Sequence, residues 1–331
     1  MSKNFQNREP TEWVNSWLSH ADCEGDRILL IGDSVTRGLR GKLEFYIKKW
    51  YKVDLFASSF AITDNLFWRN LQCFFNDEYK YQIIFINYNY HHGYIGEYAE
   101  NEEVLQRLYQ KLIYLCQSLC DRVIIMTGTS CMKPEHLEQL DEDVEYGIHM
   151  RNEIAKKAAE NTGCVLFDLH HVMKQGFGIN FRYVDCVHFE NNAYFYIAYK
   201  MLVSLSILNK EKKEKAQTLI YRSLEIEKPT KSIVYLGKNV GGGRNEYQLF
   251  FLLKYFCQDI RIVAWAVTDE NNADKEICGI PVCEIEQLGD KNSLLIIIAN
   301  KQEEAKMRLT AEELGFNKIK SYNSMLSELF L

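Results

Sequence analysis

No apolar run among these 331 residues approaches the roughly 18 that a membrane-spanning helix needs. The first ten residues, Met-Ser-Lys-Asn-Phe-Gln-Asn-Arg-Glu-Pro, also lack the apolar centre of a secretory signal. Both absences lead to the expectation of a cytoplasmic protein without a membrane partner. There is no excess of basic charge: 39 Lys and Arg stand against 45 Asp and Glu, for a formal net charge of −6. That balance argues against a broad nucleic-acid footprint, so no nucleic-acid partner is expected. Cysteine is present, at ten residues, but no Cys-x-x-Cys pair occurs, so neither a zinc site nor a redox motif is indicated. The thiols are scattered through apolar segments, and reduced core cysteines are the expectation. With 47% hydrophobic and 13% aromatic residues, the chain has ample material for packed cores in two domains.

Chemistry is concentrated at two places. Arg27 to Gly32 is an apolar strand that stops abruptly at Gly32-Asp33-Ser34 and turns into a helical pattern. A strand ending in that way sets the next hydroxyl at the carboxyl edge of a sheet, where open α/β folds place their ligands. The same tripeptide also makes an ordinary strand-to-helix turn with Ser34 as N-cap. Far along the chain, Asp185-Cys186-Val187-His188 precedes the apolar helix that begins near Ala193. A histidine there can take a serine proton, while the carboxylate three residues earlier accepts the other ring N–H, fixes the tautomer and stabilises the imidazolium. Cys186 lies between those two residues and reads as a small residue in a tight turn.

The early Gly-Asp-Ser and the late Asp-x-x-His together, in this order and at this spacing, resemble the SGNH (GDSL-type) hydrolase family over residues 25 to 207. The resemblance implies a doubly wound α/β fold with Ser34 as nucleophile, His188 as general base and Asp185 as its partner. It also implies an oxyanion hole built from the Ser34 N–H and two further blocks. The second block is a glycine N–H in the family; here the matching stretch is Ser58-Ser59-Phe60-Ala61-Ile62-Thr63, so Ser59 and the turn up to Thr63 stand in with backbone donors. The third block is Gly-x-Asn-Asp in the family and reads Asn87-Tyr88-Asn89-Tyr90-His91-His92-Gly93 here. Asn89 then falls in the glycine slot and His91 in the slot of the asparagine that donates to the oxyanion, a task an imidazole N–H can perform. Alternatively the two histidines are surface loop residues. Metal ligation by His91 and His92 finds no further ligand at metal-site spacing, so no metal is expected.

Strand and helix signals alternate through this region. Strands are expected at 27–32, 52–57, 81–87, 122–127 and 164–168, with helices clearest over 102–117 and 144–160. The fold class is therefore α/β, a doubly wound parallel sheet. Pro10 to Leu18 reads as a short leading helix with Trp13 and Trp17 on one face. Thr127-Gly128-Thr129-Ser130 ends a strand at the same edge as Ser34, as substrate contacts or as turn residues. The glycines of 174–182 suit a mobile lid, and Arg182 is placed to meet an anionic group or solvent.

The charge run from Asn209 to Ala216 reads as a solvated helix end or a linker, giving an expected division into residues 1–208, a linker 209–230, and a smaller α/β domain 231–331. In that last part a strand, a glycine-rich turn, a helix over 245–256 and a strand over 261–267 make a βαβ unit. Gly237 and Gly242 occupy the first and third positions of a dinucleotide fingerprint, with Asn239 at the second, where the missing glycine weakens the match. Asp269 stands where a ribose-binding acid would. The segment resembles the Rossmann-like domains at the amino ends of bacterial sugar O-acyltransferases and polysaccharide-biosynthesis proteins. That resemblance leaves open a nucleotide site at Gly237, Asn239 and Gly242 or a role in protein docking or homo-oligomer formation.

The two resemblances together imply a serine esterase acting on an acyl, foremost acetyl, ester of a carbohydrate or glycan precursor, with no cofactor. The alternatives are an O-acyltransferase using the same three residues, or a binding protein for glycan or nucleotide-sugar that keeps the fold without catalysis.

Overall fold

A computed structural model of the chain describes residues 11–75, 79–87, 101–176, 182–226, 230–237, 245–268 and 276–330. The fold is α/β and divides into two compact units, one holding the described residues up to Ala198 and the other those from Tyr199 onward.

The first unit runs β1 (Val14–Trp17), β2 (Arg27–Gly32), α1 (Ser34–Ile47), β3 (Lys52–Ser58), α2 (Asn65–Leu71), β4 (Tyr81–Asn87), α3 (Glu102–Gln117), β5 (Val123–Met126), β6 (Met132–Lys133), β7 (His136–Leu140), α4 (Glu142–Thr162), β8 (Val165–Phe167), α5 (Leu169–Gly176) and the start of α6 (Asn191–Leu205). A six-stranded sheet has the order β1-β3-β2-β4-β5-β8, parallel except for β1. Strand β2 is buried at every position, as the unbroken apolar run of a parallel strand covered on both faces requires. Leu29 and Ile31 of β2 and Ile84 and Ile86 of β4 share one face with Leu112, Ile113 and Ala155 from α3 and α4. On β2 and β3, α1 packs. Helices α1 and α6 approach closely because Gly38 has no side chain: a Cβ there would lie 2.5 Å from the Tyr194 ring. Phe195 of α6 packs edge-on to Phe45 at 5.8 Å.

The strand order reverses between β2 and β4, since β3 lies on one side of β2 and the later strands on the other. In open α/β sheets, ligands bind outside the carboxyl ends of the strands at such a reversal, here the ends of β2 and β4.

The leading helix expected over Pro10–Leu18 is instead an edge strand. Val14 pairs with Ser58 and Trp17 with Leu55, so these residues satisfy their backbone groups against the open side of β3 rather than within a helix. The two tryptophans that suggested one helical face carry arginines: the Arg37 guanidinium lies 5.0 Å from the Trp13 ring and that of Arg40 4.4 Å from the Trp17 ring.

The second unit continues with α7 (Lys210–Leu224), β9 (Thr230–Gly237), α8 (Asn245–Phe256), β10 (Ile260–Val267), β11 (Glu276–Ile277), β12 (Ile280–Glu284), β13 (Leu295–Ile298), α9 (Glu304–Glu313), β14 (Ile319–Ser321) and α10 (Tyr322–Phe330). Its sheet has the order β11-β12-β10-β9-β13-β14, with every pair parallel except β11 with β12. The charged segment read as a solvated helix end or linker is α7, which buries Ala216, Ile220 and Leu224 and packs on α8 and α10. Its lysines and glutamates occupy the remaining face, as the 3.6-residue period of an amphipathic helix allows. Gly237 closes β9, whereas Asn239, Gly242 and Asp269 lie outside the described residues.

Candidate active site

The turn that carries Ser34 admits no side chain at Gly32. A Cβ there would lie 2.1 Å from Thr36 Oγ1 and 2.3 Å from the Asn87 carbonyl oxygen. The helix cap is Asp33 rather than Ser34. Its extended backbone and its Oδ1, which accepts from Val35 N at 3.0 Å and Thr36 N at 3.4 Å, meet the donors that open α1. Capping is thus carried by the preceding residue, and the Ser34 hydroxyl is released for another partner.

That partner arrives from a tight loop after α5. Tyr183 and Phe189 form an antiparallel bridge, and Val184 N donates to the His188 carbonyl at 2.9 Å, closing the loop on itself. Inside it, Asp185 Oδ1 accepts from Val187 N at 2.9 Å and His188 N at 2.8 Å. Asp185 Oδ2 lies 2.7 Å from His188 Nδ1, and His188 Nε2 lies 2.7 Å from Ser34 Oγ. With the ring proton on Nδ1, His188 donates to the carboxylate and accepts the serine O–H. The three residues singled out in the sequence, 154 positions apart at their extremes for the Ser34–His188 bond, thus form one hydrogen-bonded chain just beyond the carboxyl end of β2.

Burial works to raise the Asp185 carboxyl, but the bonds from His188 Nδ1 and from the Val187 and His188 amides outweigh it and hold the carboxyl below its ordinary value. Asp185 therefore stays ionised at neutral pH. Its contribution to folding is present above the ordinary carboxylate range and is lost as the pH falls through its own lowered value.

The residues expected to donate to an oxyanion differ in what they bond. Ser59 is fully buried, its N–H donates to the Trp13 carbonyl at 3.1 Å, and its hydroxyl accepts from Trp13 N and donates to Glu12. The edge strand β1 has thus taken the donor that the sequence reading assigned to Ser59. Phe60 N is bonded to Ser58 Oγ at 2.9 Å, which makes Ala61 the next N–H along this turn. Asn89 and His91 lie outside the described residues, as do His92 and the centre of the 174–182 loop; Arg182 is exposed. At the end of β4, Asn87 is buried with neither amide atom of its side chain bonded to a described residue. Among the described residues no group of three His, Cys, Asp or Glu side chains is placed to hold a metal.

Sequence reading did not find what seats the loop. Tyr183 OH donates to the Ser130 carbonyl at 3.1 Å and Met132 N to the Cys186 carbonyl at 2.8 Å, so the segment after β5 forms the floor beneath Asp185 and His188. The only trace in the sequence is the strand-end run from Thr127 to Ser130, whose Ser130 proves to be part of that floor.

No protein-family model matches the chain, and no curated protein matches it. Among solved structures, an α/β hydrolase enzyme from the metagenome of Lake Arreo aligns at 13% identity and a TM-score of 0.43, over 56% of this chain and 97% of its own. A member of the lipolytic G-D-S-L family from Veillonella parvula aligns at 18% identity and a TM-score of 0.42, over 56% of this chain and 100% of its own. An acetylxylan esterase from Geobacillus stearothermophilus aligns at 14% identity and a TM-score of 0.40, over 56% of this chain and 95% of its own.

Proposed function

We propose that this chain is a serine esterase that works through an acyl-enzyme on Ser34. The observation that carries the reading is the unbroken bond chain from Asp185 through His188 to Ser34 Oγ, each link 2.7 Å, at the carboxyl edge of a parallel sheet. In this reaction Ser34 Oγ attacks the ester carbonyl while His188 Nε2 takes its proton, and the imidazolium is stabilised by Asp185. His188 then returns the proton to the leaving alcohol, and a water activated by the same nitrogen resolves the acyl-enzyme. The Ser34 N–H at the start of α1 supports the oxyanion, with the Ala61 turn and Asn89 or His91 as the further donors. For the substrate we propose an acyl ester of a carbohydrate, a reading supported by the resemblance of residues 231–331 to domains of sugar-modifying enzymes.

The test is pre-steady-state hydrolysis of p-nitrophenyl acetate. A burst of p-nitrophenolate equal to the enzyme concentration is the expected result, and a linear trace at the uncatalysed rate counts against the reading.

One observation favours a second reading, a binding protein without catalysis: the Ser59 N–H is spent on Trp13, which thins the oxyanion hole. The third block decides how much donor strength remains. If His91 supplies it, His91→Ala lowers kcat by about 10²- to 10³-fold with KM nearly unchanged. Unaltered kcat in that variant transfers the role to Asn89.

A further inference from the structure

Beyond the end of β5 stands a second serine, histidine and carboxylate that the proposed reaction does not use. Ser130 Oγ lies 2.9 Å from Glu145 Oε1 on α4 and 3.1 Å from His170 Nε2 on α5, and that same nitrogen lies 2.9 Å from Glu145 Oε1. This is a closed triangle rather than a relay. Serine and histidine both turn to one carboxylate oxygen, so the ring nitrogen beside Ser130 is shared with Glu145, and Ser130 is almost wholly buried. That arrangement differs from the linear chain through His188, in which the carboxylate and the serine face opposite nitrogens of the ring.

Its surroundings point to a mechanical role. The His170 backbone is fixed, with its N–H donating to Thr127 Oγ1 at 2.9 Å while that hydroxyl donates to Asp168 Oδ1 at 2.9 Å. Burial acts to raise the Glu145 carboxyl, and the bonds from His170 and Ser130 outweigh it and keep the carboxyl below its ordinary value. The held residue Ser130 is the one whose carbonyl receives Tyr183 OH, and two positions on Met132 N donates to the Cys186 carbonyl. Cys186 sits between Asp185 and His188.

We propose that Ser130, Glu145 and His170 form a clasp that fixes the floor under the 183–189 loop and thereby positions His188 against Ser34. All three are positioning residues. The proposal rests on the esterase reading for its kinetic consequence but not for its structural one. A shift of His188 by about 1 Å is enough to cost on the order of 10²-fold in rate.

The experiment compares His170→Leu, His170→Gln and Ser130→Ala with the parent chain. His170→Leu lowers kcat for p-nitrophenyl acetate by roughly 10- to 100-fold with KM within about a factor of two. His170→Gln, whose amide N–H can still reach Glu145, recovers most of that loss, and Ser130→Ala gives a smaller loss of the same kind. The far-downfield proton resonance of the His188 Nδ1–H in its bond to Asp185 is the second readout. It is sharp in the parent and in His170→Gln, and broadened or lost in His170→Leu. Unchanged kcat together with an unchanged resonance in folded His170→Leu overturns the clasp. If His170→Leu does not fold, Ser130→Ala decides by the same two readouts. Should the parent hydrolyse no ester, the esterase reading fails and the resonance alone judges the clasp.

Discussion

Ser34→Ala is expected to lower turnover of a cleavable acyl ester by about 10⁴- to 10⁶-fold while leaving the fold intact. The size follows from the site's geometry. His188 Nε2 and Asp185 are already aligned on the Ser34 hydroxyl, so in the proposed reaction its removal takes away the nucleophile they would activate. The fold is spared because the α1 cap belongs to Asp33, whose Oδ1 keeps its bonds to Val35 and Thr36. His188→Ala should lose a comparable factor, and the double variant little more, since members of one catalytic unit are not additive. Steady-state kinetics with a thermal melt on each variant makes the check. A Ser34→Ala protein that keeps more than about a tenth of the parent rate rules out the serine mechanism.

Asp54→Ala is expected to destabilise the first unit by about 3–5 kcal/mol. Arg27 at the head of β2 and Asp54 on β3 are both buried, with Arg27 Nη1 2.9 Å from Asp54 Oδ1 and 3.0 Å from Oδ2. The guanidinium also donates to the carbonyls of Ser19, His20 and Cys23, and Ser19 N donates to Asp54 Oδ1. Deleting the carboxylate leaves a buried cation without its counter-charge and frees the chain between β1 and β2 from its anchor. Equilibrium denaturation reads the result in the transition assigned to the first unit. A loss below about 1 kcal/mol would mean that the three carbonyls alone hold Arg27.

How much of this was legible in the sequence depended on how local each signal was. Strands β2, β3 and β4 are long and almost wholly buried, each with an apolar centre broken only by a few polar residues such as Arg27 and Asp54, and their positions read directly from residue type. Ser34, Asp185 and His188, which the structure joins in one bond chain, stood out in the sequence because each lies in a short motif beside a strand end or a helix start. Val14–Trp17 misled because tryptophans four apart suit a helix face, whereas the decisive factor, the unpaired edge of β3, lies some forty residues away in the chain. Ser59 misled for the same reason: nothing near it in sequence shows that Trp13 will take its N–H. The charged start of α7 hid a helix whose buried stripe, Ala216, Ile220 and Leu224, lies mostly beyond that run. Glu145 and His170, each unremarked in sequence, acquire meaning only where α4 and α5 converge on Ser130.

If Ser34 is a nucleophile activated by His188, a fluorophosphonate will label it covalently. Incubation with a fluorophosphonate, followed by intact-mass and peptide mass spectrometry, should show one adduct per chain on the peptide containing Ser34, and none in His188→Ala over the same interval. An unlabelled parent protein, or a label on any other residue with Ser34 unmodified, would mean that Ser34 is not an activated nucleophile.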